Sequence, residues 1–263
     1  MKGYQFEDTQ GTFHLKKAEN ISYLYFPIAG EAGLKSSFTP NLGGDAKIDQ
    51  NTFLLEPVSA ENLVNNRNSR NFWCNVKGIG SWSLTGHSAE ELSKKFTEMQ
   101  DDSEVTAGFM WQKTTRESKK YQLRGEILSF IPVDKNVEIM LVTITNTGRM
   151  AQTVTPTAAI PLYGRSADNI RDHRHVTSLL HRINTTEYGV EVTPVLSFDE
   201  RGHQKNHTTY FVYGYSEKGD APEAFYPTVQ EFIGEGGTYL NPEAVRKNKP
   251  GRKAGSRAEG KEA

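Results

Sequence analysis

The sequence predicts an all-β fold, a large antiparallel β-sandwich with one or two short helices. Short runs of β-branched and aromatic residues recur along the chain, and Gly, Pro, Asn and Asp separate them. Only one helix is clearly indicated. Many strands with so little helix favour two packed antiparallel sheets over a mixed α/β architecture.

The predicted strands share this composition and these turn boundaries. They are Ile21–Pro27, Phe72–Val76, Val105–Thr114, Tyr121–Ile131, Val137–Asn146, Thr153–Tyr163, Val190–Phe198 and Tyr210–Tyr215. A turn is predicted at Asn146–Gly148, with the strand after it forming the next member of an antiparallel pair.

The one predicted helix begins at a capping box. In Ser88-Ala-Glu-Glu91 the hydroxyl and the carboxylate can satisfy reciprocal backbone donors. Leu92, Phe96 and Met99 follow at helical spacing, which predicts one apolar stripe facing the core.

Bulk composition limits the classes of protein to consider. The chain has 263 residues, a net charge of −1 and a single cysteine, Cys74. Near-neutrality gives no indication of a nucleic-acid partner, and one cysteine fits a reducing cytoplasm. The start of the chain lacks a secretory pattern, and no apolar run approaches the ~20 residues needed to span a bilayer. We therefore expect a cytoplasmic protein without nucleic-acid or membrane partners.

The composition changes near the end of the sequence. Residues 243–263 hold seven Lys or Arg, three Glu and almost no large apolar residue. Such a composition offers little burial to offset ordering entropy. We therefore expect a β-sandwich domain over residues 1–242, either complete or lacking its last strands, and a basic, flexible tail over residues 243–263 at a truncation point.

Polar side chains are concentrated in Pro161–Ile183, which holds four arginines, two aspartates and three histidines. Arginine forks with Asp and Asn can bind vicinal sugar hydroxyls, phosphate or one another. One interpretation is a polyol or phosphate site on an ordered loop, which binding residues often occupy. The other is an internal salt-bridge network that holds a long crossover. The sequence leaves both open.

Other chemistries have weaker support. His203 and His207 follow a predicted hairpin turn, so their spacing does not indicate a helical zinc pair. Ser166 and Ser178 lie near histidines, but no G-x-S-x-G elbow surrounds them. Trp73, Trp82, Trp111, Tyr163 and Tyr226 could stack on sugars, although core packing is the commoner role of such residues.

Four segments carry a resemblance to a known family. They are Tyr23–Gly33, Asn71–Trp82, Pro161–Arg182 and Tyr226–Gly237. Together they resemble the N-terminal region of inverting glycoside phosphorylases of glycoside hydrolase family 94. Within that family the likeness is closest to the 1,2-β-oligoglucan phosphorylases, relatives of cellobiose phosphorylase.

The resemblance implies a fold and a parent reaction. Relatives begin with a galactose-mutarotase-like supersandwich, followed by a helical linker and an (α/α)6 barrel. They cleave a β-glucosidic bond with inorganic phosphate and release α-glucose 1-phosphate, by the logic of an inverting glycosidase. No cofactor is implied, and phosphate is the co-substrate. The barrel supplies the catalytic acid, and no residue of this sequence matches that acid.

The resemblance also implies a supporting role for this domain, which in relatives builds dimer contacts and can border the substrate cleft. Carried onto this sequence, the expected substrate-binding residues lie in the polar segment. They are Arg165, Asp168, Asn169, Arg171, Asp172, His173, Arg174 and His175. We expect no metal site and no catalytic residue here.

Three functional interpretations follow from the sequence. The first is a truncated, non-catalytic phosphorylase domain that binds a β-linked glucooligosaccharide. Its partner would be a second copy or a chain carrying the barrel. The second is a free-standing carbohydrate-binding sandwich. The third is a vestigial structural product without a ligand.

Overall fold

The computed structural model describes residues 4–21, 24–58, 70–167, 177–199 and 202–263. These residues form antiparallel sheets and short helices, which confirms the predicted all-β fold. The helices are α1 (Ala89–Ser93), α2 (Val229–Ile233) and α3 (Glu243–Arg246), with a 3-10 helix at Ala18–Asn20. None of the helices in the described ranges is long and apolar enough to cross a membrane.

The strands are short, and most are separated by turns. In chain order they are β1 (Tyr4–Phe6), β2 (Phe13–Lys16), β3 (Phe26–Ala29), β4 (Lys35–Phe38), β5 (Ala46–Asp49), β6 (Thr52–Leu55), β7 (Asn71–Val76), β8 (Gly80–Ser83), β9 (Asp102–Gly108), β10 (Trp111–Ser118), β11 (Leu123–Phe130), β12 (Ile139–Asn146), β13 (Val154–Ala159), β14 (His181–Thr185), β15 (Gly189–Pro194), β16 (Leu196–Asp199), β17 (Gly202–Lys205), β18 (Tyr210–Tyr213) and β19 (Arg257–Glu259).

The chain divides into two compact units. Unit 1 comprises Met1–Ala46 and Val58–Ala159, and unit 2 comprises Lys47–Pro57 and Ile160–Ala263. Unit 2 therefore combines a short early segment with the whole C-terminal part of the sequence. The single domain boundary expected at residue 242 stays a prediction.

Unit 1 is built on a six-stranded antiparallel sheet with the order β1-β2-β9-β10-β11-β12. Alternate residues of β9 and β11 are buried, as expected when one face of a sheet packs on a core. A three-stranded sheet, β13-β7-β8, contributes the buried Trp73 and Trp82. Both tryptophans are core residues, and they are not exposed stacking platforms.

Two features of unit 1 differ from the predicted pairing. The Val105–Thr114 run forms two strands, β9 and β10, because the chain turns at Phe109 and Met110, and Met110 has a φ of 62°. The turn at Asn146–Gly148 is present, with the Gly148 N–H donating to Asn146 Oδ1 at 2.9 Å. The strand after it, β13, pairs with β7, whereas the sequence predicted pairing with β12.

Helix α1 begins as predicted and ends early. The Ser88 hydroxyl accepts a hydrogen bond of 3.1 Å from the Glu91 N–H, which confirms the cap. The Glu91 carboxylate instead accepts from the Asp101 N–H at 2.7 Å. The predicted apolar stripe is wrong, because the helix stops at Ser93 and Phe96 has a φ of 65°. Phe96 is accordingly 76% exposed.

A fully buried arginine stabilises the interior of unit 1. The Arg70 Nη2 lies 3.0 Å from Glu138 Oε2, and its Nε also pairs with this carboxylate. Its remaining N–H groups donate to backbone carbonyls, including Gly44 O at 3.1 Å. The guanidinium carbon stacks 4.1 Å from the Phe38 ring centroid. This network satisfies a buried charge with both ion pairing and hydrogen bonds.

Unit 2 contains a four-stranded antiparallel sheet with the order β18-β15-β14-β19. Its buried face carries Ile183, Val192 and Tyr210, which form a core cluster with Leu162. Strands β16 and β17 pair antiparallel with Asp199 opposite Gly202, so His203 lies in a strand and not on a helix.

The segment 243–263 has regular structure, which corrects the expectation of a flexible tail. It contains α3 and β19, and β19 pairs with β14 through Ile183 and Ala258. The Ala263 carbonyl accepts a hydrogen bond of 3.0 Å from the Leu162 N–H. Composition does not reveal this order, because backbone hydrogen bonds hold the segment in the sheet and the segment itself has few apolar side chains to bury.

Candidate functional site

The candidate site lies in unit 2 and starts from a backbone ladder. The Gly164 N–H donates to the Phe53 carbonyl at 3.0 Å, and the Phe53 N–H donates to the Arg165 carbonyl at 3.0 Å. Gly164 has a φ of 60°, in the left-handed region that favours glycine. The ladder thus fixes the position from which the Arg165 side chain enters the interior.

The Arg165 side chain is 4% exposed and has several partners. Its Nε donates to the Tyr163 carbonyl at 3.0 Å, and its Nη1 donates to the Thr177 hydroxyl at 3.1 Å. Its Nη2 lies 3.8 Å from Glu262 Oε1, and its guanidinium carbon lies 4.7 Å from the Tyr163 ring centroid. Arg165 therefore connects residues that are far apart in the sequence.

A pocket opens beside this arginine. Its cavity volume is about 10 Å³, which is room for roughly one water molecule. Guanidinium, hydroxyl and amide groups line it together with small and apolar side chains. The lining residues are Asn51, Gly164, Arg165, Ser166, Thr177, Leu180, Pro194, Leu196, Ser197, Asn206 and Tyr210.

A buried histidine lies behind the pocket wall. A Cβ at Gly164 would lie 3.7 Å from His181 Nε2. Burial, with the nearby Arg165 charge, lowers the pKa of His181 from 6.5 to about 4. The Lys261 backbone and Glu262 favour the charged form, but less strongly. His181 is therefore neutral at physiological pH and leaves the local charge to Arg165 and Glu262.

Of the eight predicted binding residues, the structure describes only Arg165, which lines the pocket. Asp168, Asn169, Arg171, Asp172, His173, Arg174 and His175 lie outside the described residues. Ser166 and Thr177 lie on either side of residues 168–176 in the sequence, and both line the pocket.

Sequence reasoning missed several residues of this site. Glu262 lies in the segment expected to be a tail, and Asn51 lies in an early loop without a charged motif. Tyr210 begins β18, whose alternation of buried and exposed residues could have assigned its ring to the core side. No local signal links Glu262 to Arg165, because strand pairing creates their proximity.

The pocket chemistry suits hydrogen bonding to a small, uncharged polar group. The Ser197 hydroxyl can donate and accept. The Thr177 hydroxyl accepts from Arg165, and the Asn206 amide bonds the Thr208 backbone through both its nitrogen and its oxygen. Among the described residues, Glu262 balances the charge of Arg165. No group of three or more metal-ligating side chains occurs within the described ranges.

The family of the chain is established by comparison with known proteins. A search of curated proteins finds no match. The model of the family described as "Glycosyl hydrolase 94, supersandwich domain" matches residues 54–260. The match covers most of unit 2 and includes the pocket arginine, α3 and β19. The chain belongs to the glycosyl hydrolase 94 supersandwich domain family.

Proposed function

We propose that this chain is the non-catalytic sandwich domain of an inverting glycoside phosphorylase and that it binds a β-linked glucooligosaccharide. The family match over residues 54–260 carries the proposal. In the resembling phosphorylases the catalytic acid comes from a separate barrel. The domain would then contribute substrate binding to a cleft that another polypeptide segment completes.

The chemistry of the groups around the pocket favours sugar hydroxyls over an anion. Sugar hydroxyls require side chains that both donate and accept hydrogen bonds, which Ser, Thr and Asn provide. The described part of the pocket has hydroxyl and amide side chains around one arginine that already faces the Glu262 carboxylate. A free phosphate would compete with that carboxylate for the guanidinium, whereas a neutral polyol would not.

We assign oligosaccharide binding to the segment that begins at this pocket. In this proposal the forks and amides of the segment hydrogen-bond ring hydroxyls, while Arg165 positions its start. The residues are Arg165, Asp168, Asn169, Arg171, Asp172, His173, Arg174 and His175. Two residues that flank positions 168–176 in the sequence, Ser166 and Thr177, both line the pocket, and this supports the assignment.

The finer features of the proposal come from the resemblance. The sugar would be a β-1,2-linked glucan, and inorganic phosphate would be the co-substrate of the complete enzyme in the cytoplasm. A barrel-carrying chain or a second copy of this chain would complete the cleft.

Calorimetric titration of the chain with β-1,2-glucopentaose tests the proposal. We expect saturable binding that weakens about tenfold in the double variant Arg171→Ala/His173→Ala, because two hydrogen-bonding groups are lost. The matched control is Arg149→Ala/His207→Ala, which removes the same residue types from exposed positions. Its affinity should equal that of the wild type.

Two results would overturn this assignment. If the wild-type chain is folded but does not bind the sugar, then the domain has no binding role of its own. If the Arg171/His173 variant binds like its control, then the polar segment is a structural network.

A further inference from the structure

The solvent-facing side of the β18-β15-β14-β19 sheet carries aromatic rings beside its polar side chains. Phe211 and Tyr213 are 37% and 45% exposed, and their ring centroids lie 4.6 Å apart. Val212, which lies between them in the strand, and Tyr210, which precedes Phe211, face the core. Strand alternation therefore places both rings on the outer face.

The register of the sheet aligns two rows of polar side chains with this aromatic pair. In the first row, Phe211 lies opposite Glu191, which lies opposite Asn184, which lies opposite Arg257. Neighbouring strands are ~4.8 Å apart, so the row is about 14 Å long. It runs from an aromatic ring across a carboxylate and an amide to a guanidinium.

The second row is parallel to the first. Thr193 lies opposite Arg182, which lies opposite Glu259. The Thr193 hydroxyl also lies 2.9 Å from the Thr209 hydroxyl, just before β18. Arg182 and Glu259 form an exposed pair at 3.7 Å. Each row thus ends at β19 in a charged side chain that can hydrogen-bond a ligand.

The backbone holds the aromatic pair against the sheet. Gly189 lies opposite Tyr213, and a Cβ at Gly189 would lie 2.7 Å from Tyr213 Cδ1. The Tyr213 hydroxyl donates to the Glu191 carboxylate. The Tyr213 ring therefore lies directly over Gly189, and its hydroxyl is held by Glu191. Because the ring is already ordered, a ligand that stacks on it loses less conformational entropy.

The charges of the face identify the kind of molecule it fits. Arg182 and Arg257 are balanced by Glu191 and Glu259, so the face is neutral in sum. An anionic polymer would gain little there. A sugar ring presents polarised C–H groups to an aromatic face and hydroxyls around its edge, and both have partners here.

We propose that this outer sheet face is a second carbohydrate-binding surface, which holds a neutral glucan chain across Phe211, Glu191, Asn184 and Arg257; the β-linkage of that glucan rests on the proposed function. It is separate from the pocket, whose residues include the inward-facing Tyr210. The aromatic pair stacks on one sugar ring, and the two polar rows hydrogen-bond the rings that follow. Such a surface keeps a long glucan on the domain while its end occupies another site.

Methyl NMR with threonine-labelled protein tests the face and the pocket separately. Thr193 and Thr209 report on the face, and Thr177 reports on the pocket. The probe is β-1,2-glucopentaose, with maltopentaose as the α-linked comparison. We expect the β-linked probe to shift the Thr193 and Thr209 signals saturably, and the double variant Phe211→Ala/Tyr213→Ala to weaken this response about tenfold.

Phe109→Ala is the matched control, because Phe109 is 82% exposed and lies in unit 1. It should leave the Thr193 and Thr209 responses unchanged. If the aromatic variant does not fold, Asn184→Ala provides the same test with a smaller perturbation. The inference is overturned if the probe leaves Thr193 and Thr209 unshifted, or if the variants respond like the control. A Thr177 response on its own would support only the pocket.

Discussion

The Arg165 guanidinium donates a 3.1 Å hydrogen bond to the Thr177 hydroxyl, which lies twelve positions further along the chain. This bond connects described residues on either side of positions 168–176. The same guanidinium faces Glu262 at 3.8 Å, so the C-terminal run contributes to the same point. The candidate site thus depends on one buried arginine that connects three parts of unit 2.

Arg165→Lys should destabilise unit 2 by about 1–3 kcal/mol, because an ammonium cannot reproduce the fork that reaches Tyr163 and Thr177 together. Urea unfolding followed by circular dichroism measures the change. Arg246→Lys is the control, since the Arg246 side chain is exposed. Equal midpoints for the two variants would show that the Arg165 contacts add no stability.

Arg70→Ala should be among the most damaging single changes in unit 1. It leaves Glu138 buried without its cation, a change that typically costs about 3–5 kcal/mol. Arg124→Ala breaks the exposed pair with Glu126 and should cost less than about 0.5 kcal/mol. Denaturant titration of both variants gives the comparison, and a loss below about 1 kcal/mol for Arg70→Ala would contradict the account.

Stability should fall as the pH drops from 6.5 towards 4. In this range the unfolded chain binds a proton at His181, while the folded chain, with its pKa near 4, does not. The stability associated with neutral His181 is fully present above pH 6.5, and its loss approaches about 3 kcal/mol near pH 4. His87, whose pKa burial also lowers to about 4, adds a similar effect in unit 1.

His181→Leu should therefore reduce the pH dependence without removing it. Urea midpoints measured from pH 4.5 to 7 for the wild type and the variant give the two slopes. Parallel pH profiles would mean that His181 takes up its proton equally in the folded and unfolded states.

Gly189→Ala should destabilise the β18-β15-β14-β19 sheet by about 1–3 kcal/mol, because the new Cβ would lie 1.9 Å from the Val212 carbonyl oxygen. Gly214→Ala is the matched control, since a Cβ there meets no atom within 4 Å. Thermal unfolding of the two variants measures the difference. A Gly189→Ala protein as stable as the control would show that the strands separate at little cost.

The strands could be predicted because their signals are local. The Tyr121–Ile131 run became β11, and the Ser88 cap starts α1 where expected. The apolar stripe after Ser88 failed, because helical spacing does not reveal that the chain leaves the helix near Phe96. Which strands pair was less predictable, and β13 joined β7 through contacts that the nearby turn does not encode.

The candidate site was predictable only in part. Arg165 stands in a dense polar motif, so sequence reasoning could select it. Glu262 and His181 come together with it through β19 pairing with β14, which is a long-range contact. The exposed aromatics Phe211 and Tyr213 follow from alternation in a short strand, and only the sheet register shows which polar residues accompany them.

The most direct test of the central claim is a thermal melt of the chain with and without β-1,2-glucopentaose. A ligand that binds only the native state raises the midpoint with concentration. We predict one cooperative transition or two for the two units, with a midpoint that rises saturably with the sugar. A cooperative melt whose midpoint is the same with and without saturating sugar would contradict the claim that the domain binds carbohydrate.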